Sequence, residues 1–158
     1  MKSKKTALQI VFVVGVKSAG KTAYLKWIAQ HAQNSGKQVA GFLSIAKFSN
    51  GIKHTYYFEN LKNGEQRLFA SHKPVPSFTD HYGSYYFNPK VFAIAKRISE
   101  DNLQSDIFIF DEYGPLEVRG DGLHSALCYL LQNYCGTLFI AVRPRTLFFL
   151  QDEIRRYL

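Results

Sequence analysis

The sequence predicts an α/β fold: three layers, α/β/α, around a mainly parallel central sheet with a small antiparallel β meander. Three observations carry this. Short, β-branched apolar runs alternate with stretches whose apolar residues recur at i, i+3, i+4 and i+7, the pattern of parallel strands joined by crossover helices. The first of these strands runs directly into a glycine turn and then a helix. After the second strand the helical period disappears, and turn residues separate short runs of strand character. The chain has 158 residues, one domain's worth, and 1–158 reads as a single unit without linker or repeat.

Ala7-Leu8-Gln9-Ile10-Val11-Phe12-Val13-Val14 is the first strand, expected in the core. Gly15-Val16-Lys17-Ser18-Ala19-Gly20-Lys21-Thr22 follows it and opens a helix over about 21–33. Leu25, Ile28, Ala29 and Ala32 form its inner face, and Gly36 stops it. Val39 to Ala46 is the second strand, buried on both faces at its start. Ser49-Asn50-Gly51 and Asn63-Gly64 are turn signals that frame a meander over about 45–70. The segment 71–83, with Pro74 and Pro76, has no period and reads as a loop. Tyr85-Tyr86-Phe87 is a short strand. Asn88 caps the next helix and Pro89 takes its first position, with Val91, Ile94, Ala95 and Ile98 facing inward.

Ile107-Phe108-Ile109-Phe110 is a continuous apolar run, hence a central parallel strand, ended by Asp111-Glu112. After Gly114-Pro115 a loop leads to a helix over about 122–134, with Leu123, Ala126, Leu127 and Leu130 inward. Thr137 to Val142 is the next strand, closed by Arg143-Pro144. The last helix carries Leu147, Leu150, Ile154 and Tyr157 on one face.

The glycine turn fits G-x-x-x-x-G-K-T, a P-loop, in the strand-loop-helix context that the motif requires. Gly15 and Gly20 let the backbone curl so that consecutive N–H groups, through Lys17, Ser18 and Ala19, point at phosphate oxygens. The helix opening at Lys21 adds its positive end. The Lys21 ammonium reaches the β- and γ-phosphates, and the Thr22 hydroxyl is placed for Mg²⁺. Asp111 is the second Mg²⁺ group, expected at the carboxyl end of the strand beside the P-loop strand. Glu112 is the candidate general base for an attacking water. Arg143 and Lys17 are either phosphate contacts or surface cations. Together these residues point to ATP or GTP as substrate, Mg²⁺ as cofactor and a phosphohydrolase reaction.

Composition narrows the alternatives. With 46% hydrophobic and 20% charged residues the chain is globular. The net charge of +8 is dispersed, and its one run, Lys2-Ser3-Lys4-Lys5, reads as a solubilising end. A polyphosphate ligand accounts for the charge, and nucleic acid is not the expected partner. No stretch is long enough to cross a bilayer and no signal peptide is seen, so a cytoplasmic location is expected. Cys128 and Cys135 have no metal spacing and read as buried small apolar residues near a helix end. The five histidines show no metal motif, and Trp27 is expected in or near the core. Tyr56, Tyr57, Tyr85 and Tyr86 either pack a sheet face or stack on a base.

Asp111-Glu112-Tyr113-Gly114-Pro115-Leu116-Glu117 resembles the extended D-E-[hydrophobic]-G-[P/K]-[M/L]-E signature of the THEP1-type nucleoside-triphosphatases. Gly41-Phe42-Leu43-Ser44, the hairpin around Asn63-Gly64-Glu65 with Leu68-Phe69-Ala70, and Tyr85-Tyr86-Phe87-Asn88-Pro89 with Phe92 are similar to further landmarks of that family, in order along nearly the whole chain. The resemblance implies a P-loop NTPase fold and slow, Mg²⁺-dependent hydrolysis of nucleoside triphosphates with little choice of base. It implies phosphate binding by 15–22, Mg²⁺ at Asp111, water activation by Glu112, and a role for Glu117. Tyr113, Lys17, Ala19, Ala23 and His54-Thr55-Tyr56-Tyr57 depart from the usual pattern without touching the phosphate chemistry. A small-molecule or nucleoside kinase, and a nucleotide-dependent switch serving a protein partner, are the competing readings. An oligomer or protein partner is compatible with each.

Overall fold

One long strand, β2 (Val39–Ser49), joins the two halves of the sheet. Its first residues pair in parallel with β7 (Ile107–Tyr113), and its outer edge pairs antiparallel with β3 (Ile52–Asn60) along its length. The structure is a computed structural model that describes residues 7–158, with 52–54 described by their backbone alone. The Lys2 to Lys5 run and the side chain of His54 lie outside the described residues.

The remaining strands are β1 (Gln9–Val14), β4 (Gln66–Ser71), β5 (Asp80–Tyr82), β6 (Tyr85–Phe87) and β8 (Thr137–Val142). They form one sheet in the order β1-β8-β7-β2-β3-β4-β6-β5. From β1 to β2 the pairings are parallel, and from β2 to β5 they are antiparallel. The sheet is therefore mixed rather than mainly parallel, and the meander is its second half rather than an appendage. The physical reason is local. Short turns at 50–51 and 61–65 force antiparallel returns, whereas crossover helices permit parallel ones.

Helices cover both faces. Helix α1 (Lys21–Asn34) packs Leu25, Ile28, Ala29 and Ala32 onto Val39, Leu43, Ile109 and Ala141. On the other face α2 (Pro89–Asp101), α4 (His124–Asn133) and α5 (Pro144–Arg155) cover Phe42, Phe108, Phe110, Leu138 and Ile140. The period-2 alternation of Phe108, Ile109 and Phe110 thus feeds two separate cores.

Several expectations need correction. β1 is an edge strand, with Val11 and Val14 exposed, rather than a core strand. β8 lies between it and β7, so the Asp111 strand is not beside the P-loop strand. β7 continues through Asp111-Glu112 to Tyr113. The 71–83 loop contains β5, which forms a hairpin with β6. A short helix α3 (Pro115–Val118) occupies the expected loop before α4. Trp27 is 57% exposed and stacks between Tyr24 and His31 on the outer face of α1. Cys128 and Cys135 are only partly buried, and Cys128 lies within α4 rather than near its end.

Gly41 explains how β2 can approach β7 so closely. Its φ is +121°, and a Cβ there would sit 2.1 Å from the Ile109 carbonyl oxygen. Only glycine satisfies both conditions.

Candidate active site

The carboxyl ends of β1, β8 and β7 meet the N-terminus of α1. Gly15 N–H donates to the Val142 carbonyl at 3.2 Å, which ties the start of the loop to the end of β8. Ser18 and Gly20 have positive φ, 63° and 92°, so the chain reverses tightly before α1 begins. A Cβ on Gly15 would crowd Ala19 and the Lys21 stem. Lys21 is buried, and its ammonium donates to the carbonyls of Gly15 (2.7 Å) and Val16 (2.9 Å). The cation is thereby held within the curl of the loop.

Two elements, α1 and β2, converge on Asp111 of β7. Thr22 Oγ1 donates to Asp111 Oδ2 at 2.8 Å, and the Ser44 N–H of β2 donates to the same oxygen at 3.0 Å. Asp111 is 1% exposed, and burial pushes its carboxyl up to about 7. The Ser44 and Thr22 hydrogen bonds oppose that shift, the Glu112 charge adds to it and the Lys21 charge opposes it. Ser44 was missed as a site residue, although it closes the Gly41-Phe42-Leu43-Ser44 landmark. A backbone amide leaves no mark in side-chain chemistry. Thr22 and Asp111 present adjacent hard oxygen donors, the type Mg²⁺ takes, so these residues fit that ion.

Glu112 follows on β7 and lines the same two cavities as Asp111. It accepts a hydrogen bond from Arg143 Nε at 3.1 Å, and both side chains are partly exposed. Arg143 is the N-cap of α5, whose first turn is anchored by Thr146 Oγ1 donating to the Arg143 carbonyl at 3.2 Å.

Two adjoining cavities share Lys17, Ser44, Tyr56, Asp111, Glu112 and Arg143 as walls. One, of about 240 Å³, is completed by Ser18, Ala19, Gly20, Lys21 and Thr22. The other, of about 290 Å³, lies towards the antiparallel half, where Phe69, Tyr82, Tyr85, Phe87 and Leu116 form an apolar and aromatic wall. The 71–83 segment therefore contributes to the site through Tyr82 and Gly83. Tyr56 and Tyr85 meet edge to face at 5.4 Å, and His72 stacks on Tyr85. Burial, and then Tyr85, push the Tyr56 hydroxyl well above the ordinary phenol range. Tyr57 and Tyr86 instead carry Lys47 and His81 on their rings, away from both cavities.

Glu117 acts beneath the site. It is buried, and its carboxylate accepts from Gly114 N–H (2.9 Å) and Leu123 N–H (2.8 Å), so it braces the backbone between β7 and α4. Burial pushes it up to about 7. Gly122, at φ +60°, lies so close that a Cβ would meet Glu117 Oε2 at 2.2 Å. No helix among the described residues is long and apolar enough to cross a membrane.

Residues 10–157 match the family described as NTPase. The nucleoside-triphosphatase THEP1 of Caldivirga maquilingensis is 27% identical over 112 residues, 71% of this chain. The match spans 62% of that relative's length, less than two thirds of it. Among solved structures, the crystal structure of THEP1 from the hyperthermophile Aquifex aeolicus is similar with a TM-score of 0.65 at 19% identity, covering 94% of this chain and 85% of the other. The solution structure of a human cancer-related nucleoside triphosphatase is similar with a TM-score of 0.71 at 17% identity, covering 94% and 84%. At such identities these two likenesses concern the fold.

Proposed function

The chain belongs to the NTPase family, and from that premise we propose that it binds nucleoside triphosphates and hydrolyses them slowly to the diphosphate and phosphate, with Mg²⁺ and little selection of the base. The observation that carries this reading is the convergence of Lys21, Thr22, Asp111 and Glu112 on one cavity beside the loop 15–20. The N–H groups of the loop and the positive end of α1 receive the phosphates. Lys21 exchanges its carbonyl partners for the β- and γ-phosphate oxygens. Thr22 and Asp111 hold Mg²⁺, which when bound offsets charge on the β- and γ-phosphates. Glu112 takes a proton from water as the water oxygen bonds to the γ-phosphorus. The bond from that phosphorus to the β-γ bridging oxygen breaks, and the diphosphate leaves. Arg143 approaches the γ-phosphate from the end of β8. The same reading places the protein in the cytoplasm, where its substrate and Mg²⁺ are found.

Glu112→Gln separates binding from chemistry. It is expected to hold nucleotide as the wild type does while turnover falls by about 10²-fold or more. Turnover equal to the wild type would remove Glu112 from the base role.

The second cavity favours one further reading, phosphoryl transfer to a small acceptor. It adjoins the phosphate cavity at Glu112, where an acceptor hydroxyl would replace water, and its wall of Tyr82, Tyr85 and Phe87 suits a planar or apolar body. Suppression of phosphate release with appearance of a phosphorylated acceptor would establish it.

A further inference from the structure

Away from the nucleotide cavities, His124, Cys128 and Glu153 bring three different metal-ligating atoms together on α4 and α5. Cys128 Sγ lies 3.2 Å from His124 Nε2 and 3.6 Å from Glu153 Oε1. His124 Nε2 and Glu153 Oε1 are 3.6 Å apart. His124 and Cys128 are one helical turn apart on α4, so their side chains lie side by side, and Glu153 reaches them from α5. Two sides of this triangle, both 3.6 Å, match the donor spacing of a known coordination geometry, and the sulfur–nitrogen side, at 3.2 Å, is a few tenths of an ångström shorter. Zinc binds thiolate sulfur at about 2.3 Å and imidazole nitrogen or carboxylate oxygen at about 2.0–2.2 Å, and a tetrahedral centre with those bonds holds its donors about 3.4–3.6 Å apart.

We propose that His124, Cys128 and Glu153 form a binding site for a zinc-class divalent ion that bridges α4 and α5. The second carboxylate oxygen of Glu153 is taken by Arg156 Nη1 at 3.0 Å, which fixes the carboxylate and directs Oε1 to the site. The imidazole's other nitrogen, Nδ1, is buried with no hydrogen-bond partner among the described residues, so the polar contacts of the ring are those of Nε2 with Cys128 and Glu153. His124 and Cys128 are partly exposed, which gives an ion access and leaves its fourth position to water. A mixed N, S, O set of this kind suits zinc or cobalt over Mg²⁺, which takes oxygen, and so separates this site from the pair Thr22 and Asp111.

The test is a titration of the nucleotide-free full chain with cobalt(II), followed by absorbance, then by zinc. The expected result is a near-ultraviolet thiolate-to-cobalt charge-transfer band that saturates at one ion per chain and disappears on adding zinc. Cys128→Ser should abolish the band, His124→Gln should weaken binding at least about tenfold, and Cys135→Ser should leave both unchanged. Should Cys128→Ser fail to fold, His124→Gln and Cys135→Ser decide the question. Absence of the band in the wild type, or a band unaffected by His124→Gln or lost in Cys135→Ser, would overturn the proposal. It would leave a hydrogen-bonded cysteine, histidine and glutamate with no ion.

Discussion

Arg143 Nε and Glu112 Oε1 meet at 3.1 Å, joining the end of β8 to the end of β7 at the wall shared by the two cavities. The pair has consequences for both partners. Arg143 positions the carboxylate, and under the proposed function its guanidinium offsets charge on the transferring phosphate. Arg143→Ala is expected to lower kcat about 10²–10³-fold while KM rises less than about tenfold, since arginines in such positions act mainly on the transition state. Arg143→Lys should recover little, because an ammonium lacks the planar fork. Steady-state phosphate release checks this, and an unchanged kcat in Arg143→Ala would make the pair a surface contact.

Gly41→Ala tests the joint of the sheet. The new methyl would meet the Ile109 backbone at a φ that L-residues rarely adopt. The expected destabilisation is about 3 kcal/mol or more, from strain and displacement of β2 from β7. Urea unfolding measures it. A loss below about 1 kcal/mol would show that β2 shifts freely.

Glu117 links stability to pH. Its carboxyl is raised from 4.5 to about 7 by burial. The folded state therefore carries a penalty for the charged form that the unfolded chain does not. This group's contribution is fully present below about pH 4.5 and is lost as pH rises through about 7. At about 1.4 kcal/mol per pH unit the two limits differ by roughly 3 kcal/mol. Glu117→Gln cannot ionise. Its stability relative to wild type should be worst near pH 5 and improve towards pH 8, whatever its cost in lost acceptors for Gly114 and Leu123. Denaturation midpoints across this range, wild type beside variant, would refute the point if the two curves ran parallel.

Trp27, the one tryptophan of the chain, is a surface residue despite its size. Trp27→Ala should cost no more than about 1 kcal/mol, since the stack with Tyr24 and His31 is exposed and alanine favours the helix. Its emission in the wild type should be that of an indole in water. A cost above about 2 kcal/mol would place the ring in a packed environment.

Particular residues show which parts of this structure were legible. Leu25, Ile28, Ala29 and Ala32 are legible because helical periodicity reports burial directly, and Ile107 to Phe110 because a continuous apolar run marks a strand covered on both faces. Strand order was not legible, because β1 is as apolar and β-branched as an inner strand, and pairing depends on partners remote in the chain. The β5–β6 hairpin had a signal, Gly83-Ser84 between Tyr82 and Tyr85, but three-residue strands fall below what alternation can resolve. Trp27 misled because its side chain is apolar while its position lies off the inner stripe. In the site, Lys21, Thr22, Asp111 and Glu112 do share one cavity, as side-chain chemistry at fixed motif positions suggests. Ser44, acting through its amide, and Glu153, brought from α5 to the His124 and Cys128 pair of α4, carry no local spacing that would reveal them.

Phosphate release from ATP and from GTP with Mg²⁺, wild type beside Lys21→Ala, separates a nucleotide-hydrolysing site from an inert one. Slow turnover of both nucleotides at similar rates is expected of the wild type. Nucleotide binding and turnover are both expected to be lost in Lys21→Ala, which has no ammonium to pass from the Gly15 and Val16 carbonyls to phosphate. Release by Lys21→Ala at the wild-type rate, or none from the wild type with nucleotide bound, would contradict the proposed role of this site.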